Sequence, residues 1–157
     1  MSPAEAREQG LPFQVLRPNE VAALDAMGEI LHPGARDAGV SHFIDQQLSL
    51  PIRESLLIAK HLIAPPYLDF YRDALRALDE FSRNKYEGNF GSLETATAVE
   101  IIKLIRDGQV ENWTGPPAPL LYLIVRGDAV DVVYAAMDDY DKLGIPYMAH
   151  LLPPSDW

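Results

Sequence analysis

Apolar residues recur along this chain at helical spacing, and proline divides the recurrences into blocks. The 13 prolines leave two long gaps, Pro66 to Pro116 and Pro119 to Pro146. Helix interiors exclude proline, so these gaps are where long helices fit. Val21, Leu24 and Leu31, with Met27 beside them, predict a helix over residues 19–31, opened by Pro18 or Asn19 and stopped by His32-Pro33-Gly34. Ser41 reads as the N-cap of a second helix that turns Phe43, Ile44 and Leu48 inward and breaks before Pro51. A third is predicted over 52–63, with Ile52, Leu56 and Ile63 on one side and Leu57 close by.

Pro65-Pro66 open a fourth helix carrying Leu68, Tyr71, Leu75, Leu78 and Phe81 on one face, and Asn84 to Gly91 end it. Ser92 reads as the cap of a fifth over 93–107, with Val99, Ile102 and Ile105 inward and Gly108 as the stop. Val125, Ala129, Val132, Ala136 and Tyr140 mark a sixth over 118–142, ended by Gly144. IIKLI and LLYLIV would each pass as a short strand alone, but their flanks are helical and no hairpin turn separates alternating runs. The expectation is an all-α fold. One domain spans 1–157 as a compact bundle of about six helices: an extended N-terminal arm over 1–17, a helical core over 18–144, and an extended C-terminal arm over 145–157.

Composition narrows the function. Hydrophobic residues are 48% and charged residues 23%, a globular balance. The formal net charge of -10 argues against nucleic acid and anionic membrane surfaces, which need a positive footprint. No run of about 18 apolar residues is present to span a bilayer. With no cysteine, the chain has no disulfide, thiolate zinc site, iron-sulfur cluster, CxxCH haem attachment or cysteine nucleophile. The opening MSPAEAREQG lacks the charged-then-apolar pattern of an export signal.

Chemistry is sparse. No glycine-rich phosphate turn occurs, and no two of His32, His42, His61 and His150 have the i,i+4 spacing of a helical metal site. His42 and Asp45 share a helix face, which reads as a surface pair before it reads as a ligand set. Asp138, Asp139 and Asp141 oppose the dipole of the sixth helix and read as a solvated turn, with a contact to basic partner residues as the sharper alternative. Asn112-Trp113-Thr114 matches a glycosylation sequon, a pattern common by chance. No catalytic, cofactor-binding or metal-ligating residue is assigned.

The rings say more. Phe70, Tyr71, Phe81 and Tyr134 read as core, whereas Trp113, Tyr147 and Trp157 fall in proline-flanked segments without a period. Each of those three would bury roughly 150–250 Å² against a partner, a gross gain of about 4–6 kcal/mol. Association costs on the order of 4–15 kcal/mol, so several anchors are needed together. The alternative is a tail folded back on its own helices.

The stretch LRPNEVAALDAMGEILHPGARDAGVSHFIDQQLS resembles the gluconate 2-dehydrogenase subunit 3 family. WTGPPAPLLYLIVRGDAVDVVY and LGIPYMAHLLPPSDW extend the resemblance, which covers about residues 14–157. It implies a small subunit, free of cofactor, that pairs with a large FAD-containing dehydrogenase subunit of the glucose-methanol-choline class acting on a sugar or sugar acid. A c-type cytochrome subunit often takes the electrons. The small subunit assists maturation of the large one and, where it carries a twin-arginine leader, its export. The resemblance implies a periplasmic complex, with the cytoplasm as the alternative because no such leader opens this sequence. It also motivates Trp113, Pro116, Pro117, Tyr122, Arg126, Tyr147, Met148 and Trp157 as partner contacts. A stand-alone helical adaptor without a redox partner is the alternative function.

Overall fold

The computed structural model describes residues 1–134 together with Gly144. Seven α-helices and two 3₁₀ turns, with no strand, make up the described residues. The helices are α1 (Pro3–Glu8), α2 (Pro18–Leu31), α3 (Val40–Ser49), α4 (Ala59–Leu62), α5 (Tyr67–Tyr86), α6 (Thr95–Arg106) and α7 (Ala118–Tyr134). The all-α expectation holds.

Helix α2 is the hub. Pro18 fills its first position, where a missing N–H costs nothing, and the Glu20 carboxylate accepts the Arg17 N–H at 2.7 Å. Its Ala23, Leu24 and Met27 are fully buried, and it packs against α3, α5, α6 and α7. Tyr71, Leu75 and Leu78 of α5, Ile101 and Ile105 of α6, and Leu121, Ile124 and Val125 of α7 complete one continuous core. On the predicted α5 face, Leu68 and Phe81 are only half-buried, and Tyr67, Phe70, Ala74 and Ala77 take the deeper positions. α7 begins where expected. Its continuation to residue 142, with Ala136, Tyr140 and the Asp138, Asp139, Asp141 cluster, lies outside the described residues, as does the 145–157 arm.

Four local expectations are corrected. The N-terminal arm is not extended throughout, because Pro3–Glu8 is helical. The Ser2 hydroxyl accepts the Glu5 N–H at 3.2 Å while the Glu5 carboxylate accepts the Ser2 N–H at 2.7 Å. Six residues cannot sustain a helix alone. This one docks on α3 and pairs Arg7 with Asp25 of α2 at 2.9 Å. Gly39 permits the docking: a Cβ there would sit 2.3 Å from the Pro3 carbonyl oxygen.

Second, α3 starts at Val40 and is capped by Gly39, with φ +81, while the Ser41 side chain is buried one position inside. Third, Glu94 caps α6 with its backbone, and Ser92 closes a 3₁₀ turn by donating to the Asn89 carbonyl at 2.8 Å. Fourth, the helix predicted over 52–63 does not form. A 3₁₀ turn at Ile52–Glu54 and the single-turn α4 replace it.

Candidate partner interface

The segment that replaces the predicted third helix faces outward. Ile52 and Leu56, expected inside, are 50% and 65% exposed, and Leu50 and Leu62 are exposed as well. Four large aliphatic side chains within 13 residues thus meet water, a cost unless something else covers them. Only Leu57 and Ala59 of this stretch reach the core, with Ile63 half-buried.

Buried polar groups hold the segment in this posture. The Gln47 Oε1, on α3, accepts the Leu56 N–H at 2.8 Å. The Asp128 Oδ1, on α7, accepts the Ile58 N–H at 3.0 Å, and its other oxygen accepts the Tyr71 hydroxyl. Lys60 adds a hydrogen bond to the Ser55 carbonyl at 3.3 Å. Asp128 is fully buried, and that burial pushes its carboxyl up to about 7, with the Tyr71 and Ile58 donors pulling the other way. Tyr71, equally buried, is held well above the usual phenol range and serves as a neutral donor.

Gly127 lets the segment approach α7, since a Cβ there would lie 2.5 Å from Ile58 Cγ1. One turn earlier on that face of α7 stands Leu123, 47% exposed. Leu50, Ile52, Leu56 and Leu62 are exposed on one segment whose backbone Gln47 and Asp128 hold, and Leu123 is exposed on the helix that α4 packs against; we call these five the apolar strip.

The contacts expected from the sequence fare differently. Trp113 is half-buried against its own chain: its Nε1–H donates to the Pro116 carbonyl at 2.6 Å, and its ring meets Phe81 edge-on at 6.5 Å. Of the two readings of this ring, packing on its own chain is the one seen, and it leaves the ring partly open. Pro116 and Tyr122 are half-buried, and Pro117 and Arg126 are exposed. Tyr147, Met148 and Trp157 lie outside the described residues.

His42 and Asp45 work on the fold. The Asp45 carboxylate accepts three backbone N–H groups, from Gln14, Val15 and Leu16, at 2.8–2.9 Å. His42 lies 3.2 Å from the Leu11 carbonyl and against the Phe13 ring. Among the described residues, no three histidine or carboxylate side chains converge as a metal site would need. The pocket at the end of α5, about 460 Å³, brings Lys85 and Glu111 beside Phe81 and Leu104 without a nucleophile and base in reach of each other.

Fold and surface together define a small helical protein whose distinctive feature is a hydrogen-bonded segment that exposes large apolar side chains. The profile of the gluconate 2-dehydrogenase subunit 3 family matches residues 18–137, and the chain belongs to that family. The family is named for a subunit of a dehydrogenase complex, which agrees with an accessory role. No curated protein and no solved structure matches the chain.

Proposed function

We propose that the chain is a non-catalytic small subunit. It binds and stabilises the FAD-containing, glucose-methanol-choline-type catalytic subunit of a sugar dehydrogenase and assists its maturation in the periplasm. The strip of Leu50, Ile52, Leu56, Leu62 and Leu123 carries this reading. Buried hydrogen bonds are spent on keeping apolar side chains outside, an arrangement that makes sense in an interface.

Covering the exposed parts of five such side chains yields about 5 kcal/mol. Association costs on the order of 4–15 kcal/mol, so the strip is the centre of a larger contact. Pro117 and Arg126, with Tyr147, Met148 and Trp157 of the tail, add to it. A second copy of this chain is the poorer occupant, since each copy brings a formal charge of -10. The flavin belongs to the large subunit, and a c-type cytochrome is the proposed electron acceptor.

Co-expression with the large subunit tests the reading. The wild-type chain raises the large subunit's soluble yield, flavin content and dye-linked dehydrogenase activity. The double variant Leu56→Asp, Leu62→Asp loses co-purification while its own urea midpoint stays within about 0.5 kcal/mol of wild type. A large subunit equally soluble, flavinylated and active without this chain ends the proposal.

A further inference from the structure

Four of the nine arginines in this acidic protein line one groove of about 320 Å³, between the start of α2 and the middle of α5. Arg17 comes from the α2 side, and Arg72, Arg76 and Arg83 from α5. Their spacing of i, i+4 and i+11 aligns the α5 members along one face. From Arg72 to Arg83 the stripe covers three helical turns, about 16 Å.

Of the three carboxylates that line the groove, Asp79 is turned to another group, while Glu20 and Asp73 face Arg72 and Arg76. Glu20 is buried and accepts the Arg17 N–H, with Arg72 at 3.8 Å. Asp79 is buried and accepts the Phe90 N–H at 3.0 Å. Asp73 is exposed, 3.8 Å from Arg76, which also binds Glu80 at 3.0 Å. The guanidinium of Arg72 reaches the Val15 carbonyl, and that of Arg83 reaches the Asn89 side chain. Among the described residues, neither Arg17 nor Arg83 has an ion-pair partner, although their carrier is strongly acidic.

We infer that this groove is a docking site for an acidic peptide segment in extended conformation. The length of the stripe decides between a peptide and a small anion. About five residues of extended chain, at ~3.3 Å each, span it from Arg72 to Arg83. A single small carboxylate or phosphate does not reach both ends of the stripe, and Arg72 and Arg76 already face Glu20 and Asp73. Arginine forks favour carboxylates held in a row, because each accepts two parallel N–H bonds.

The probe is a fluorescein-labelled hexaglutamate peptide, titrated by anisotropy against the full 157-residue chain at low and at moderate salt. Binding is expected at low salt and weakens as salt rises. The double variant Arg17→Gln, Arg83→Gln weakens it by roughly tenfold or more, two charge-assisted contacts being lost. The control Arg53→Gln, on the exposed 3₁₀ turn at Ile52–Glu54, leaves it unchanged. Each variant's thermal midpoint is recorded, and Arg83→Gln alone serves if the double variant unfolds. Failure of the peptide to bind at low salt overturns the inference. So does displacement by sodium gluconate or inorganic phosphate at equal carboxylate or phosphate concentration, which would mark a small-anion site. Equal binding of an oligothymidylate would mark a general polyanion surface and overturn it too. The assay contains no large subunit, so these outcomes leave the proposal for the apolar strip untouched.

Discussion

The connection from α3 to α5 and the connection from α6 to α7 both carry prolines and large apolar side chains, yet they turn those side chains opposite ways. In the second, the side chains are the attached parts. Trp113 donates to Pro116 and lies against Phe81, Thr114 donates to Glu80 at 2.8 Å, and Gly115 leaves room for Ala77, to which a Cβ would come within 2.7 Å. In the first, the backbone is the attached part. Gln47 and Asp128 take the N–H groups of Leu56 and Ile58, and Leu50, Ile52, Leu56 and Leu62 are left in water. Apolar content alone does not set the direction of a loop. Where the directional bonds grip it does, because a buried N–H without a partner costs more than an exposed leucine.

The largest expected effect comes from the grip itself. Asp128 has its pKa raised from 3.8 to about 7 by burial, so the folded chain holds this proton over a range where the unfolded chain has lost it. Stability contributed at acid pH is therefore lost as pH rises from about 4 to about 7, and the loss is complete above that. The full drop is on the order of 4 kcal/mol. Asp128→Asn keeps an acceptor for the Ile58 N–H and removes the titration. Urea unfolding at pH 5 and pH 8 is expected to show a falling wild-type stability and a flatter variant. Parallel slopes in the two proteins would mean that Asp128 is not the buried titrating group.

Trp113→Ala comes next. Removing a half-buried ring that packs on α5 costs about 3 kcal/mol, whereas Leu56→Asp costs about 0.5 kcal/mol or less. Chemical denaturation of both variants breaks the comparison if the order is reversed. It sharpens it if Trp113→Ala destabilises the fold yet still co-purifies with the large subunit.

Much of the architecture could be read from spacing. The proline-free gaps located α5 and the start of α7, Pro18 marked the first position of α2, and Gly108, with φ +69, ended α6. These signals are local, lying within one helix or its flanks. The third predicted helix failed because its decisive bonds are not local: Asp128 lies 70 residues from Ile58 and 57 from Tyr71. Ile52, Leu56 and Ile63 have helical spacing, but no window contains the groups that turn them outward. In the sequence Asp45 reads as half of a surface pair with His42, and Asp128 is one letter of the DAVDVVY string, but the fold buries both. Their work on the backbone appears with the fold. Two further features carry a readable local signal. Ser2-Pro3-Ala4-Glu5 is a capping box, and Arg72, Arg76 and Arg83 lie at one-face spacing.

Gly127→Ala is the smallest change and the most selective. Alanine in a helix interior gains about 1 kcal/mol over glycine. Here that gain meets a Cβ placed 2.5 Å from Ile58 Cγ1, so Ile58 must move. The two terms nearly cancel in global stability, within about 1 kcal/mol. They do not cancel locally, because the displaced backbone carries the Ile58 N–H away from Asp128. Amide exchange at Ile58 is expected to speed up by about tenfold, equivalent to 1.4 kcal/mol of local opening, with amides of α5 and α6 unchanged. Binding of the large subunit falls along with it. If Ile58 exchange speeds up while binding is unchanged, the strip acts through its side chains alone, and its support from α7 has no part in docking.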